Sequence, residues 1–595
     1  MGAAAQTTDD VVIVSQRTDA YVFAMKNGKT EVHHSCRTDY RLNSQGAQTV
    51  QPFVHYGDDI RLDRASCSGL TAEYRNVTPD NVFFDDSKIC FFTAELTTRR
   101  PRLSAEFQRT FTDLRYFARV PITTDRFTER LTLTFTIPHG MEGIRLVPVN
   151  FDGRDIQLEA MSTKTDSVFT FTMTDVPATP DDAHMPPLSL TAPCVLVMGA
   201  FSDYHELYRW SHELTQIDTD IPGIDQILTE IAAGATTADE RLRNTYAWVQ
   251  RNIRYVAFEA GIAGHQPDRP AEVVRKRYGD CKGMAMLLRT LLRAQGIDAR
   301  LAIVGTRDIP FDMSRCPSLA ASNHMICQAR TDDHTYWLDA TCRYIPADYV
   351  PQHIQGREAM VEDGDDCQMV RLPLLPAAAS VDSLCYSFHL SADGRRLTGT
   401  AVYSLSGDMK ELFMSAYEHR SLDSKTNLLA GNLNADDHSK TVTDAVWRHR
   451  DAASPMAVFT GQVEDAHSLQ QLDDEIYVEL NPHNNLYAAK IDTLRRRSDF
   501  WLPSLCNVVR EVRLQLPQDV ALTHVPEPFS LSLPQGELSC SFDYRKDERL
   551  VVFCQRMHLT DRLIRRADIP AWNDALSKWL TASNEQIILK TSHQQ

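Results

Sequence analysis

Residues 278–291 read Tyr-Gly-Asp-Cys-Lys-Gly-Met-Ala-Met-Leu-Leu-Arg-Thr-Leu, and this stretch decides the central fold. Gly279 permits a tight turn and Asp280 is a favourable N-cap residue, so we expect a helix that begins at Asp280 or Cys281. Its end is predicted at Gly296, a residue type that commonly terminates helices. The apolar positions expected to face inward are Met284, Leu287, Leu288 and Leu291.

Cys281 is predicted to lie in the first turn of this helix, which has chemical consequences for its thiol. The unpaired N–H groups and the dipole of a helix start favour a thiolate over a thiol, and the thiolate is the nucleophilic form. Many cysteines at helix ends only fill space, so this position alone does not assign a role. Lys282 has two interpretations, a cation that lowers the pKa of the thiol or a solvated surface lysine.

A predicted hairpin downstream supplies the partners that a nucleophilic thiol needs. His324 opens one strand, Asp339 nearly closes the next, and Thr331–His334 forms the turn, which contains Asp332 and Asp333. With that turn, His324 faces the position two residues beyond Asp339, so the two side chains share one face of the sheet, roughly 7–8 Å apart at the backbone. A carboxylate beside an imidazole fixes its tautomer and stabilises the imidazolium. A register slip of one residue would separate them.

Four segments together resemble the transglutaminase-like core of bacterial exported proteins. The segments are Gly279–Gly283, the helix end Gly296-Ile297-Asp298-Ala299, Asn323-His324 and Tyr336-Trp337-Leu338-Asp339. The segment Trp248–Tyr255 resembles the helix that precedes this core, and the likeness covers about residues 225–365. The resemblance implies a papain-like fold and a triad of Cys281 as nucleophile, His324 as base and Asp339 as the residue that orients the histidine.

An oxyanion site needs backbone or side-chain donors near the nucleophile. The backbone N–H of Cys281 is well placed at a helix start, and Gln266 is the candidate for the second donor. A surface-loop glutamine is the alternative interpretation. His265, its neighbour, is interpreted as a loop or packing residue.

The flanks of this core are predicted to be β-rich. Residues 131–137 and 169–173 alternate apolar and Thr side chains, which is typical of half-buried strands. Alternation returns after the Pro/Ala stretch at 372–379, with a hairpin around Asp393-Gly394 and a terminal helix around Trp572. We therefore expect a multidomain α+β protein with an N-terminal β-sandwich (1–222), a papain-like transglutaminase core (223–375) and a C-terminal β-sandwich with a terminal helix (376–595). The flanks resemble β domains of unknown function that bracket this core in Bacteroidetes-type proteins.

Composition narrows the possible partners. The 595-residue chain has a net charge of −17, which disfavours nucleic acid as a partner. No apolar run is long enough to span a membrane. The thirteen cysteines lack metal-ligand spacing and no phosphate-binding loop is present, so we expect neither metal nor cofactor. Small alanines near the start (Ala3–Ala5) suggest export to the periplasm or beyond.

From these residues we expect a thiol acyl-transfer enzyme that acts on peptide or glutamine-type amides. The acceptor can be water or an amine, and the sequence does not separate the two. The resemblance implies a peptide or protein substrate of the cell envelope. The alternative is a non-catalytic binding or scaffold protein that uses a transglutaminase-like core.

Overall fold

The structure is a computed structural model that describes residues 10–77, 82–84, 87–141, 143–258, 261–332, 334–391, 393–483 and 489–591. The alanines behind the export prediction and Asp333 of the predicted turn lie outside the described residues.

The N-terminal region is built on a large twisted sheet that smaller sheets cover on one face. Val12–Lys26 lies at its centre and pairs in parallel with Thr128–Pro138. The other pairings within this sheet are antiparallel. The predicted alternation in 131–137 is present, with apolar side chains buried and threonines at the intermediate positions. The large sheet has the strand order Ile156–Ser162, Asp166–Val176, Thr128–Pro138, Val12–Lys26, Lys29–Leu42, Arg102–Phe111 and Ile60–Cys67.

Three small sheets pack against that large sheet and complete two apolar clusters. Tyr21 and Phe135 of the large sheet share one cluster with Val195 and Val197. The strands are Arg119–Pro121, Cys194–Met198 and Arg145–Val149 in the first small sheet, Phe53–Tyr56, Lys88–Phe91 and Glu73–Asn76 in the second, and Gln48–Val50 with Ala94–Leu96 in the third.

The central region packs helices on a five-stranded antiparallel sheet. Its strands run in the order Thr335–Leu338, His324–Arg330, Asp298–Val304, Glu358–Asp363 and Asp366–Arg371. Its helices are Tyr204–Thr215, Ile224–Ala232, Ala238–Asn252, Pro270–Lys276 and Cys281–Arg293. The last of these, which we call the Cys281 helix, buries the four predicted apolar positions in a core shared with helix Ala238–Asn252. Gly296, three residues after its end, has a φ of 76°, which a side chain would strain.

Two short parallel pairings tie the neighbouring segments to the start of the Cys281 helix. Arg254–Tyr255 pairs with Tyr278–Gly279, immediately before Cys281. Ala257–Phe258 pairs with Val82–Phe84 of the N-terminal region. The N-terminal region is thereby connected to the central region beside the helix start.

The C-terminal region contains an eight-stranded sheet whose covering layer is partly helical. The sheet has the strand order Lys440–His449, Met456–Asp465, Leu397–Ser406, Val381–Leu390, Asn507–Gln515, Leu550–Leu559, Gly536–Arg545 and Phe529–Leu533. The cover consists of helices Gly407–Glu418, Leu422–Leu433 and Ile569–Ser583 and a sheet of Leu469–Leu472, Glu475–Glu479, Gln586–Thr591 and Val520–His524.

The predicted order is confirmed as a central region of helices and sheet between two sheet-rich regions, with two additions at the C-terminus. The first two C-terminal helices were not predicted, since their apolar positions are sparse and interrupted by polar residues. A strand, Gln586–Thr591, follows the predicted terminal helix. The domain boundaries proposed after residues 222 and 375 remain predictions.

Candidate active site

Cys281 is the first residue of the helix that is named after it. The Asp280 carboxylate caps the helix by accepting a hydrogen bond of 2.8 Å from the Gly283 N–H. Only 9% of the Cys281 surface is exposed. A Cβ on Gly283 would lie 3.2 Å from the Val273 side chain, so glycine allows helix Pro270–Lys276 to approach closely. The turn therefore places a nearly buried thiol at a helix start, where the helix dipole favours negative charge.

Lys282 neither extends into solvent nor remains without a counter-charge. It is 8% exposed, and its ammonium group forms an ion pair with the Asp280 carboxylate beside Cys281. The cation and the capping carboxylate largely neutralise each other at the helix start.

The hairpin has the predicted register. Cys327 pairs with Leu338 and Arg330 with Thr335, so His324 and Asp339 come to the same end of the hairpin. His324 donates from Nε2 to Asp339 Oδ2 at 2.8 Å. Asp339 follows the last residue of its strand and is 1% exposed.

The Asp339 carboxylate is fully engaged by donors. Oδ1 accepts hydrogen bonds from the Thr341 N–H at 3.1 Å and the Thr341 hydroxyl at 2.6 Å. Oδ2 accepts from His324 and also from Nε2 of His353 at 3.0 Å. Burial would raise the pKa of Asp339, but His324 and His353 outweigh it and hold that pKa well below its usual range. The group is therefore a carboxylate at neutral pH.

His324 links this carboxylate to the thiol. Burial would lower its pKa, but the Asp339 carboxylate and a side-chain hydrogen bond with Cys281 hold the pKa of His324 well above the usual imidazole value. Since Nε2 is bonded to Asp339, Nδ1 is the ring nitrogen left for Cys281. Both residues line one cavity of about 490 Å³.

The other thiols have different surroundings. All thirteen cysteines are free in the structure. Burial raises the pKa of Cys327 to about 12 and that of Cys342 well above its usual value, so both are protonated at neutral pH. Of these three thiols, Cys281 is the one that shares a cavity with an imidazole supported by a carboxylate.

The N-terminal region supplies one wall of the cavity that contains Cys281. That wall includes residues 55–60, Ser87 and Tyr116. On the central side, the ring of His265 lies 5.6 Å from that of Tyr116 and 5.2 Å from that of Trp210. Burial and the nearby Lys282 cation lower the pKa of His265 to about 4, so it is neutral at physiological pH. It packs against these two rings in the cavity wall, as the interpretation from sequence expects of a packing residue.

Gln266, the predicted second oxyanion donor, is exposed. Its neighbours Gly264 and His265 line the cavity, but Gln266 does not in the part of the chain that the structure describes. Its backbone N–H donates to Ile262 within the preceding turn.

His353 is the site residue that sequence reasoning missed. It lies on an irregular segment after the hairpin, between residues of no recognised motif, so no spacing rule connects it to Asp339. Its ring centroid is 5.4 Å from that of His324, with the planes at 67°. The side chain is 38% exposed, in contrast to 9% for His324.

Glu411 of the C-terminal region holds one end of the segment between Asp339 and His353. Helix Gly407–Glu418, which we call the bracing helix, presents its carboxylate to that segment. The Glu411 carboxylate accepts hydrogen bonds from the backbone N–H of Arg343 at 3.2 Å and of Tyr344 at 2.6 Å.

Asp408, in the first turn of the bracing helix, holds the other end. It accepts hydrogen bonds from the Gln352 N–H at 3.1 Å and from the Tyr349 hydroxyl. The Gln352 side chain in turn accepts from the Leu505 N–H at 2.9 Å. The residue before His353 is thereby fixed to the C-terminal region.

Three groups of ligand-type side chains are close enough to hold a metal ion within the described residues. They are Asp19 with His34 and Cys36, His205 with Asp366 and Cys367, and His324 with Asp339 and His353. In the first group, Arg17 donates to Asp19 and Arg109 donates to Nδ1 of His34, so cationic donors already occupy the lone pairs. In the third group, hydrogen bonds account for the arrangement without a metal.

The family comparisons agree with this geometry. Residues 225–349 match the model of the transglutaminase-like superfamily, so the chain contains a transglutaminase-like domain. That range includes Cys281, His324 and Asp339, whereas His353 lies just beyond it. Residues 474–589 match a domain of unknown function with a solved structure, DUF3858. None of the curated proteins matches the chain.

Among solved structures, a "putative protease" from Parabacteroides distasonis ATCC 8503 is similar over nearly the whole length. The identity is 11%, the match covers 98% of this chain and 99% of that one, and the TM-score is 0.60, so the likeness shows a shared fold. A "putative cysteine protease" from Cytophaga hutchinsonii is 13% identical, and the match covers 52% of this chain and 75% of that one. Its TM-score of 0.15 is too low to indicate a shared fold. Separately, no helix among the described residues is long and apolar enough to cross a membrane.

Proposed function

We propose that the protein is a thiol-dependent acyl-transfer enzyme in which Cys281 attacks a peptide or glutamine-type amide. The observation that carries this proposal is that Cys281 and His324 line one accessible cavity, with His324 hydrogen-bonded to the buried Asp339 carboxylate. The transglutaminase-like domain and the shared fold with a "putative protease" are consistent with it.

The proposed reaction begins with transfer of the Cys281 proton to Nδ1 of His324. The thiolate attacks the carbonyl carbon, and the tetrahedral oxyanion develops near the backbone N–H of Cys281 at the helix start. His324 then donates its proton to the leaving nitrogen as the C–N bond breaks, which leaves a thioester on Cys281. The Asp339 carboxylate stabilises the imidazolium throughout.

Water or an amine completes the cycle. His324 removes a proton from the incoming group, that group attacks the thioester carbonyl, and the proton passes to the Cys281 sulfur as the C–S bond breaks. Water gives a carboxylic acid and an amine gives a new amide. A cavity bounded by two regions fits an extended peptide or an exposed side chain, so we propose a peptide or protein substrate. An exported location and a substrate of the cell envelope are part of this proposal.

Alkylation provides the first test. We expect iodoacetamide to modify Cys281 at about pH 6, because a thiolate–imidazolium pair reacts below the ordinary thiol pKa. Burial raises the pKa of Cys36 to about 12 and that of Cys385 to about 11, so these partly exposed thiols are internal controls that should stay unmodified. Mass spectrometry of the three peptides reads the result. Equal modification of all three would contradict the proposed pair.

A substrate screen provides the second test. Glutamine-containing peptides are incubated with and without a labelled primary amine, and ammonia release and amine incorporation are measured separately. Incorporation identifies amine transfer, whereas release of ammonia or peptide fragments without incorporation identifies hydrolysis. Cys281→Ala should abolish either reaction. Full turnover by this variant would refute the assignment of the nucleophile.

A further inference from the structure

Two imidazoles share one carboxylate oxygen at this site. His324 and His353 both donate from Nε2 to Oδ2 of Asp339, at 2.8 and 3.0 Å, while Thr341 occupies Oδ1. Thr341 and His324 already fix the orientation of the carboxylate, so His353 is not needed to orient it. The remaining effect of His353 is on the negative charge of Oδ2, which the two imidazole donors share.

The backbone of His353 is fixed from both sides. Its carbonyl oxygen accepts a hydrogen bond of 2.7 Å from the Arg307 N–H, and the preceding residue, Gln352, is bonded to Asp408 of the bracing helix. A ring that is 38% exposed is thus held at a defined distance from a carboxylate that is 1% exposed.

We propose that His353 is a positioning residue that shares the Asp339 carboxylate with His324 and thereby limits how strongly that carboxylate retains the proton on His324. The inference rests on the proposed function, in which His324 must give this proton to a leaving nitrogen. A buried carboxylate that served His324 alone would stabilise the imidazolium so well that it would be a weak acid. A second donor on the same oxygen disperses part of that charge and makes proton release easier.

The charged groups around His353 decide which substitutions at this position are informative. Asp339 and His324 contact its ring directly, and Asp408 of the bracing helix is close enough to interact with it electrostatically. Burial raises the pKa of Asp408, partly offset by Tyr349, Gln352 and His353. Variants at position 353 should therefore change a side chain without adding charge.

The test compares His353→Phe, which has no donor, with His353→Gln, which keeps a neutral N–H donor. His334→Phe, in the turn of the hairpin, is the matched control for the substitution. For each protein, Cys281 alkylation is measured against pH with iodoacetate and with iodoacetamide. The anionic reagent is favoured by an adjacent imidazolium, so the ratio of the two rates falls as His324 loses its proton. A chelator is present throughout.

We expect His353→Phe to move the midpoint of that fall upward by about half to one pH unit, the equivalent of one neutral hydrogen bond. His353→Gln should return the midpoint close to that of the wild type, and His334→Phe should leave it unchanged. His353→Phe should also turn over a substrate whose leaving group needs protonation about three- to tenfold more slowly. A midpoint shift of about half to one pH unit corresponds to that factor.

The outcomes separate the two proposals. A purely structural role would lower the alkylation rate at every pH without moving the midpoint, and that result would overturn the inference about His353. An unchanged midpoint in His353→Phe, or a Gln variant that behaves as the Phe variant does, would also overturn it. If wild-type Cys281 shows no enhanced alkylation near pH 6, the proposed function itself fails.

Discussion

Replacement of Asp339 by Asn tests the reasoning about the site most directly, because the amide has the same shape and no charge. The two donors of Thr341 require an acceptor at the Oδ1 position, so the amide nitrogen must occupy the Oδ2 position. That nitrogen donates hydrogen bonds, and it faces Nε2 of His324, which must then accept. Neutral His324 is thereby forced to carry its proton on Nδ1, the nitrogen that receives the proton of Cys281 in the proposed reaction.

The expected magnitude follows from the lost interaction. A hydrogen bond between an imidazolium and a buried carboxylate contributes roughly 1.5–3 kcal/mol. At about 1.4 kcal/mol per factor of ten, Asp339→Asn should slow alkylation of Cys281 at about pH 6 by roughly 10- to 150-fold. The unfavourable tautomer adds to this loss in turnover, although some activity should persist.

The assay is the second-order rate of iodoacetamide reaction with Cys281, followed by mass spectrometry alongside substrate turnover. Thr341→Val is the control, since it removes one donor to Oδ1 and leaves both bonds to Oδ2. We expect this control to lose only about fivefold, the equivalent of about 1 kcal/mol. An Asp339→Asn rate within threefold of wild type across the pH range would refute the role given to the carboxylate.

The remaining predictions concern the parts of the molecule around the site. Glu411→Ala should destabilise the protein by roughly 1–3 kcal/mol and slow Cys281 alkylation, because two backbone donors lose their acceptor. The control variant Glu418→Ala, on the same helix, should leave the alkylation rate unchanged. Equal losses in both variants would contradict the bracing role. Tyr56→Ala should reduce peptide turnover at least about threefold with an unchanged iodoacetamide rate, since Tyr56 lines the cavity away from the thiol. A parallel fall in turnover and in the iodoacetamide rate would count against a role in substrate binding. Burial lowers the pKa of His34, so the unfolded chain binds a proton at this histidine more tightly than the folded chain does, and stability should fall as the pH drops below about 6.5. His34→Gln should reduce this dependence of stability on pH, measured by hydrogen exchange of strand Lys29–Leu42. An unchanged dependence on pH would refute the assignment to His34.

Local rules predicted the central site because each of its parts is specified over a short stretch. The N-cap at Asp280 places Cys281 at a helix start, and the turn length of one hairpin sets the register that brings His324 to Asp339. Both are decided by neighbouring residues and by the period of two in a strand.

The features that were missed depend on contacts between distant segments. His353 reaches Asp339 through an irregular segment, and the wall around Tyr56 belongs to a sheet more than 200 residues before Cys281. Nothing local at either position indicates its neighbours. The C-terminal helices were missed for a related reason, since their stability comes from packing on a sheet rather than from a strong apolar stripe.

The bracing helix also bears on when the site can form during synthesis. It belongs to the same apolar core as the strand Gln586–Thr591, which pairs with Glu475–Glu479. The core that secures the segment carrying His353 therefore includes residues that are synthesised about 300 positions after Cys281. A chain that has passed Asp339 but not yet reached Gln586 contains Cys281, His324 and Asp339 but lacks this core, so we expect the hydrogen bond from His353 to Asp339 to become secure later in synthesis than the one from His324.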